Sequence, residues 1–197
     1  LLSRLVHPGD PSDELDTPDL LGTAFLLLFA GYETTMNLLA GGTLALLEQP
    51  QQLRRLAAGE VAWDRVIEEL LRLVSPLECA TWRHTATQVD VAGRSIPAGE
   101  PVLVSLAAAN HDPDAFDDPA GFDPDRGTAR HLAFGYGPHT CAGAHLARAE
   151  AEIALGRLFA RFPHLRLTAS PEDLPWRPGL LVRGPMRPRR SPRRRVS

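Results

Sequence analysis

Residues 134–143 read FGYGPHTCAG, a loop pattern in which three glycines surround a single cysteine, Cys141. An amphipathic stretch follows and predicts a helix over about residues 142–162, ended by Pro163. Its apolar side would consist of Leu146, Ala147, Ile153, Ala154, Leu158 and Phe159. The loop therefore delivers one thiol to the beginning of a helix. Free backbone N–H groups and the helix dipole stabilise an anion there, which favours the thiolate form of Cys141.

A thiolate in this position is suited to bind the metal of a flat cofactor. Gly137 and Gly143 would let the backbone pass close beneath a macrocycle, where a side chain would collide. Phe134 would pack beside the sulfur and keep water away. Arg83 and His139 could meet carboxylates of such a cofactor, although each taken singly is typical of a surface residue. A lone cysteine is more often an inert core residue, but the full ten-residue pattern favours a metal ligand.

The apolar periodicity of the remaining chain predicts a mainly α fold with small β-sheets. Helices are expected over about residues 18–48, 50–58, 63–74 and 106–110. Strands are expected over residues 81–83, 89–91, 94–96 and 102–104, with a last small sheet from residues 165–167 and 180–182. Thr17 would cap the long first helix, whose residues 20–29 are apolar nearly all round and predict burial on all sides.

The long first helix carries a polar pair, Glu33-Thr34, directly after the small residues Ala30 and Gly31 and a tyrosine. Burying a carboxylate in an apolar helix costs free energy, so a polar pair at this position indicates a specific role. A threonine hydroxyl can bond a carbonyl one turn back and widen the helix locally. The pair therefore predicts either a proton relay to a ligand in a groove, or a solvated kink or core hydrogen bond.

Glu69 and Arg72 lie three residues apart on one predicted helix, so they share a face. Such pairs are usually exposed and weak, but this one stands among leucines and a valine. A buried pair needs a further donor, which Arg126 can supply from the stretch FDPDR at residues 122–126. The three charges would pin the Asp-, Pro- and Gly-rich loop 111–128 to the core.

The composition is that of a globular domain and argues against several function classes. The chain has 197 residues and a net charge of −3, so nucleic acid is not an expected partner. Two cysteines predict no disulfide scaffold and indicate the reducing cytoplasm. The longest apolar run, residues 20–32, is too short to span a bilayer. Residues 185–197 form an Arg/Pro-rich tail for which we expect disorder, with nucleic-acid or membrane contact as the alternative.

These residues together resemble the cytochrome P-450 superfamily of heme-thiolate monooxygenases, and its bacterial soluble branch most closely. Four motifs stand in the family's order: AGYETT (residues 30–35), Glu69-x-x-Arg72, FDPDR (residues 122–126) and the loop 134–143. The resemblance covers residues 1–184 and implies the C-terminal, heme-binding half of that fold. That half comprises a long central helix, the Glu-x-x-Arg helix, a small β-sheet, the cysteine loop and a proximal helix.

The resemblance implies a role for each matching residue. Cys141 would bind the iron of heme b, and Arg83 and His139 would bind its propionates. Thr34 with Glu33 would deliver protons for oxygen reduction. The remaining implied heme contacts are Phe134, Gly135, Gly143, Ala30 and Gly31, and the implied structural triad is Glu69, Arg72 and Arg126. The implied substrate contacts are Leu26, Phe29, Cys79, Ala80, Thr81, Leu180 and Leu181, and the implied docking residue for an electron donor is Arg148.

The implied activity is insertion of one atom of O₂ into a small apolar organic substrate, by hydroxylation or epoxidation, as in natural-product tailoring. Electrons would come from NAD(P)H through a ferredoxin-type donor and its reductase, because the chain shows no flavin or nicotinamide fingerprint. Three alternatives stay open: a truncated, inactive remnant that binds heme weakly or not at all, a peroxide-driven oxygenase of the same fold, and an interaction module that acts through its basic tail. The intact Glu33-Thr34 pair argues against the peroxide-driven alternative.

Overall fold

The computed structural model describes residues 3, 6, 15–126, 131–168 and 170–186. Within these residues the chain is mainly helical with two small antiparallel sheets, which confirms the predicted fold class. The α-helices are α1 (Thr17–Leu47), α2 (Pro50–Ala57), α3 (Trp63–Val74), α4 (Leu106–Asn110) and α5 (Ala144–Arg161). The strands are β1 (Arg83–His84), β2 (Val89–Val91), β3 (Arg94–Ile96) and β4 (Pro101–Val102), and short 3₁₀ turns span Gly137–His139 and Pro171–Asp173.

Helices α1, α3 and α5 pack against one another and enclose the core. Leu38 of α1, Leu70 of α3 and Leu155 of α5 are almost fully buried and belong to one apolar cluster. A Cβ atom at Gly41 of α1 would lie 2.6 Å from Cγ1 of Val74 in α3, so glycine is what lets these two helices approach closely. This crossing sets α1 directly against the helix that carries the Glu-x-x-Arg motif.

The N-terminal cap of α1 lies one residue earlier than predicted. Asp16, and not Thr17, is the capping residue, and its carboxylate accepts a hydrogen bond from the N–H of Asp19 at 2.9 Å. Aspartate and threonine are both good capping residues. Aspartate adds a negative charge at the positive end of the helix dipole, and this charge explains why the helix begins there.

The burial predicted for residues 20–29 is wrong in this chain. Leu21, Phe25 and Phe29 are exposed by 65%, 69% and 57%, and the two phenylalanine rings stack with centroids 6.1 Å apart. An apolar surface all round a helix needs packing partners on every side. The buried residues of α1 lie between Asn37 and Leu46, so α3 and α5 cover its C-terminal half and leave the apolar N-terminal half open.

The two small sheets are antiparallel pairs of strands, of which β2 and β3 form a hairpin. β1 pairs with β4, with Arg83 opposite Val102, and β2 pairs with β3. Between β2 and β3, Ala92 and Gly93 have φ angles of 49° and 76°, which is the tight turn that matches the twist of paired strands. The bounds of β2 and β3 agree with the prediction, whereas β1 begins two residues later than predicted and β4 one residue earlier.

The last sheet predicted from residues 165–167 and 180–182 is wrong. Val182 forms an antiparallel bridge with Leu77 instead. The N–H of Leu165 donates to the carbonyl of Phe162 at 3.0 Å, in the turn that ends α5. A backbone group used in this turn is not available to a strand, so the alternating apolar pattern after α5 did not produce a sheet.

Helix α5 buries only part of its predicted apolar side. Leu158 and Phe159 of that side are half-buried, and Phe159 packs against the core. Ala151 and Leu155 are buried, whereas Leu146 and Ile153, which were expected on the apolar side, are exposed. This helix carries apolar residues on more than one face, so periodicity alone identified only part of the face that packs against α1 and α3. The exposed face begins close to the cysteine loop.

Two further expectations concern the membrane and the tail. Among residues 15–126, 131–168 and 170–186, no helix combines the length and the hydropathy needed to cross a membrane. The expected disorder of the Arg/Pro-rich tail falls on residues 187–197, which lie outside the described residues. Pro185, at the beginning of that tail, is described and bridges Trp176.

Candidate functional site

The cysteine loop is an exposed segment between two buried residues. Ala133 before it and Ala144 after it are buried, whereas every residue from 136 to 143 is exposed. Cys141 is a free, exposed cysteine. The loop therefore presents its thiol on the surface and does not store it in the core.

The backbone of the loop holds the thiol at the beginning of α5. Gly135 and Gly137 have φ angles of 72° and 80°, a conformation that L side chains rarely adopt. The N–H of Cys141 donates to the carbonyl of Phe134 at 2.9 Å and closes the loop. The N–H of Ala144, the first residue of α5, donates to the carbonyl of Cys141 at 3.3 Å.

The structure brings the three charges of the predicted triad together. Arg72 donates from Nε and Nη2 to the two carboxylate oxygens of Glu69 at 2.8 and 2.7 Å, and Arg126 donates from Nε to Glu69 at 3.3 Å. The side chains of Arg72 and Glu69 are only 2% and 6% exposed. Bidentate, charge-assisted hydrogen bonds offset the desolvation of such a buried pair.

Arg72 also ties the core to the chain that leads into the cysteine loop. It donates from Nη1 to the carbonyls of Asn110 and Pro119 at 2.9 and 2.7 Å, and from Nη2 to the carbonyl of Gly121 at 2.9 Å. The side chain of Asn110 accepts a hydrogen bond from the N–H of Leu132 at 2.6 Å. A continuous hydrogen-bonded path thus runs from α3 to the entrance of the cysteine loop.

The polar pair of α1 combines a local hydrogen bond with a long-range ion pair. Thr34 donates from Oγ1 to the carbonyl of Ala30 at 2.5 Å, which is the bond to the previous turn that the sequence suggested. The helix continues through this point without interruption. Glu33 forms an ion pair with Arg177, a residue in the C-terminal part of the chain.

A cavity of about 390 Å³ lies beside this ion pair. Its lining residues are Glu33, Trp82, Leu103, Arg177, Gly179, Leu180, Leu181 and Val182. Leu180 and Leu181 are thus the predicted substrate contacts that lie in the lining. The sequence did not predict Trp82, Leu103 and Arg177 as lining residues, because they come from separate segments with no shared spacing that would have identified them.

The other residues implied by the resemblance lie outside that lining. The residues of this group that are exposed are Leu26, Phe29, Ala30, Gly31, Thr81, Arg83, His139 and Gly143. Arg83 donates from Nη1 to the hydroxyl of Thr81 at 2.5 Å. Ala80 is half-buried, and Cys79 is buried beside a bridge to Ser105. The cavity therefore gathers only part of the expected substrate surface.

Glu68, the residue before the triad glutamate, was likewise not predicted from the sequence. Arg148, which was expected at a docking surface, donates from Nε and Nη2 to the two carboxylate oxygens of Glu68 at 2.5 and 2.9 Å. His131 Nε2 lies 3.1 Å from Oε2 of Glu68. The sequence contained one indication of this second pair, because Glu68 and Glu69 are adjacent acids. Consecutive residues on a helix point about 100° apart, so the two carboxylates need different partners.

Comparison with known proteins gives a consistent result. A family model described as Cytochrome P450 matches residues 63–187. The cytochrome P450 monooxygenase PikC of Streptomyces venezuelae is 49% identical over 185 residues, which cover 93% of this chain and 44% of PikC. The solved structure of the tirandamycin C-bound P450 monooxygenase TamI matches with a TM-score of 0.87 and 44% identity, covering 93% of this chain and 46% of TamI. The cytochrome P450 PksS of the Bacillus subtilis 168 bacillaene polyketide synthase matches with a TM-score of 0.86 and 38% identity, covering 93% and 47%.

The chain spans about half the length of the relatives it matches. Over that span the agreement extends from sequence to fold. The family model includes the Glu-x-x-Arg helix α3, the cysteine loop and α5, the elements on which the sequence resemblance depended. This chain therefore belongs to the cytochrome P450 family.

Proposed function

We propose that the protein carrying this chain is a heme-thiolate monooxygenase that inserts one atom of O₂ into an organic substrate. The observation that carries the proposal is the exposed Cys141 thiol, held at the beginning of α5 by a loop closed on Phe134. Relatives named as monooxygenases, such as PikC and TamI, support it. Because the chain spans about half of these relatives, the activity is proposed for the whole protein that contains it.

The residues of the loop fit a heme. Eight consecutive exposed residues form its outer surface, and nothing lies within 4 Å of the position that a Cβ at Gly137 would occupy, so a flat group can approach the backbone. A heme iron would need only one ligand from this loop, which a single thiolate can supply. Cys141 would hold the iron, and the exposed Arg83 and His139 would hold the propionates. When bound, the heme supplies the chemistry that activates dioxygen.

Residues of α1 would supply protons to that chemistry. The hydroxyl of Thr34 can donate a proton and regain one from a neighbouring acid. Glu33 precedes it, is half-buried and lies on the wall of the cavity. Its carboxylate is paired with Arg177 at that wall, so Glu33 would first take up a proton from solvent and then pass it to the Thr34 hydroxyl.

The substrate that the cavity favours is an apolar molecule of the polyketide type. Leucine, valine and tryptophan side chains form most of the lining, and the Glu33–Arg177 pair adds one polar wall. A volume of about 390 Å³ is within the usual range for small-molecule sites. One relative supports this class by its name, since PksS belongs to a polyketide synthase system. Polyketide lactones should perturb the Soret band of the heme-loaded protein at lower concentrations than fatty acids do, and equal responses would argue against this class.

Electrons would reach the heme from NAD(P)H through a ferredoxin-type donor and its reductase. The exposed residues of the cysteine loop and the exposed face of α5, which includes Leu146 and Ile153, offer a surface close to the thiolate. Only the cysteine loop would separate a donor bound there from the proposed metal ligand, Cys141. Product formation with ferredoxin, reductase and NAD(P)H, compared with product formation with peroxide alone, separates this route from the peroxide-driven alternative.

The carbon monoxide difference spectrum of the reduced, heme-loaded protein tests the proposed function. We expect the red-shifted Soret band of a thiolate-ligated heme. Cys141→Ser should remove this band and the oxygenase activity together, because a hydroxyl does not replace the thiolate as an electron-rich ligand. Cys79→Ala is the matched control, since it removes the buried cysteine and should keep the band. A protein that takes up heme but shows no red-shifted band, or a Cys141→Ser variant that keeps it, would contradict the proposal.

A further inference from the structure

A second charge cluster lies beside the cysteine loop and involves no residue of the Glu69 triad. Arg148 of α5 holds both carboxylate oxygens of Glu68 of α3. His131 joins them through Nε2, 3.1 Å from Glu68. The N–H of Ala133 donates to His131 Nδ1 at 3.2 Å, so Nε2 carries the proton and donates to the carboxylate. The cluster thus connects α3, α5 and the entrance of the loop.

The guanidinium of Arg148 also contacts the residue that closes the cysteine loop. Its Cζ atom lies 4.6 Å from the centroid of the Phe134 ring, within the range of a cation–π interaction. The ring of His131 lies 6.2 Å from the same phenylalanine ring. The carbonyl of Phe134 accepts the hydrogen bond from the N–H of Cys141. One chain of contacts therefore runs from Glu68 through Arg148 and Phe134 to the backbone of the thiol.

The charges of the cluster favour a permanent pair over a transient contact. Burial raises the pKa of Glu68, but the hydrogen bonds from Arg148 and His131 and the charge of Arg148 outweigh it and lower the pKa to about 2. The hydrogen bond and the charge of Glu68 raise the pKa of Arg148 and outweigh the effect of burial. The side chains of Glu68 and Arg148 are 16% and 36% exposed. A partner that bound Arg148 would first have to break a bidentate pair.

We propose that Arg148 is a positioning residue for the thiolate, held by Glu68, and not a docking residue for an electron donor. The edge of its guanidinium binds Glu68, and the face of the guanidinium packs against the Phe134 ring. These contacts hold Phe134 where its carbonyl accepts the hydrogen bond from the Cys141 N–H. Lysine would keep the charge but would lose the fork and most of the stacking. This inference rests on the proposed function for its effect on the heme, but its effect on the loop is a property of the chain itself.

Amide hydrogen exchange of Cys141 in this chain, without heme, tests the inference directly. Arg148→Lys and Glu68→Gln should each accelerate this exchange about tenfold, which corresponds to about 1.4 kcal/mol of local opening. Arg183→Lys is the matched control, because Arg183 also pairs with a carboxylate, Glu78 at 3.7 Å, and also stacks on an aromatic ring. This control should leave the exchange of Cys141 unchanged.

Two measurements on the heme-loaded protein complete the test. The midpoint potential of the iron should shift in Arg148→Lys and Glu68→Gln and should stay constant in Arg183→Lys, while the KM for the electron donor stays constant in all three. Unchanged Cys141 exchange, together with a raised KM in Arg148→Gln, would overturn the inference in favour of docking. Equal acceleration at the core amide of Leu71 would overturn it in favour of a general structural role. If the parent protein takes up no heme, the proposed function fails, but the exchange result still decides this inference.

Discussion

At the scale of single residues, Thr34 is the sharpest test of proton delivery. Its hydroxyl already bonds the carbonyl of Ala30, so Thr34→Ala removes a hydroxyl without changing the fold of α1. We expect unchanged heme uptake and a larger share of electrons lost as hydrogen peroxide. Product formed per electron should fall roughly tenfold or more, because positioned proton transfer contributes about 10²–10⁴-fold in rate.

Thr34→Ser is the matched control for this prediction. Serine keeps the hydroxyl and can make the same bond to the previous turn, so coupling between electron use and product should recover most of the way. Peroxide and product are measured in the same reaction with the ferredoxin-type donor. Equal coupling in the alanine variant and the parent protein would rule out the relay.

Single residues also show which contacts the sequence could reveal. Glu69 and Arg72 were expected to pair because a spacing of three places them on one helical face, and the structure joins them. The partner of Glu33 was not expected, because Arg177 lies 144 residues away and no local spacing connects the two. Glu68 was missed for a related reason, since its partner Arg148 is 80 residues distant. Local geometry predicts pairs within an element, whereas tertiary packing selects pairs between elements.

At the scale of elements, Glu68 links the packing of α3 against α5 to pH. Its pKa is about 2 in the folded chain and near 4.5 as an ordinary glutamate. A carboxyl group whose pKa is lower in the folded state stabilises that state above the ordinary value, and this stabilisation is lost as the pH falls toward 2. The contribution is on the order of 2–3 kcal/mol, after allowance for solvent around the partly exposed pair.

Urea unfolding of this chain between pH 7 and pH 3 measures that contribution. The free energy of unfolding should fall below about pH 4.5 in the parent chain, and Glu68→Gln should remove much of this fall. Glu60→Gln is the control, since Glu60 is 62% exposed and its contact with Arg55 is long at 3.8 Å. A Glu68→Gln variant that loses as much stability in acid as the parent chain would show that other carboxylates carry the effect.

Elements were predictable where local chemistry alone specifies them. The β2–β3 hairpin agreed with the prediction because the Ala92-Gly93 turn fixes its register. Helix α3 agreed because its apolar stripe is narrow and the chain turns at Ser75, just before Pro76. Helix α5 carries apolar residues on several faces, so its length was predicted well and its buried face only in part. The sheet expected near residue 180 failed because strand pairing depends on which backbone groups the rest of the fold leaves available.

At the scale of the whole molecule, the N-terminal half of α1 is the largest departure from expectation. Leu21, Phe25, Leu28 and Phe29 expose apolar side chains along this half, and patches of this kind mark surfaces that bind something. The relatives are about twice as long as this chain, so they have more polypeptide with which to cover such a surface.

This chain should therefore bind a hydrophobic dye strongly. Phe25→Ser combined with Phe29→Ser should lower the dye fluorescence, because it removes the stacked pair of rings. Phe162→Ser, at an exposed phenylalanine just after α5, should have little effect. If the two variants lowered the fluorescence equally, the dye would be binding to scattered apolar residues. The exposed apolar face of α1 would then not be a specific binding surface.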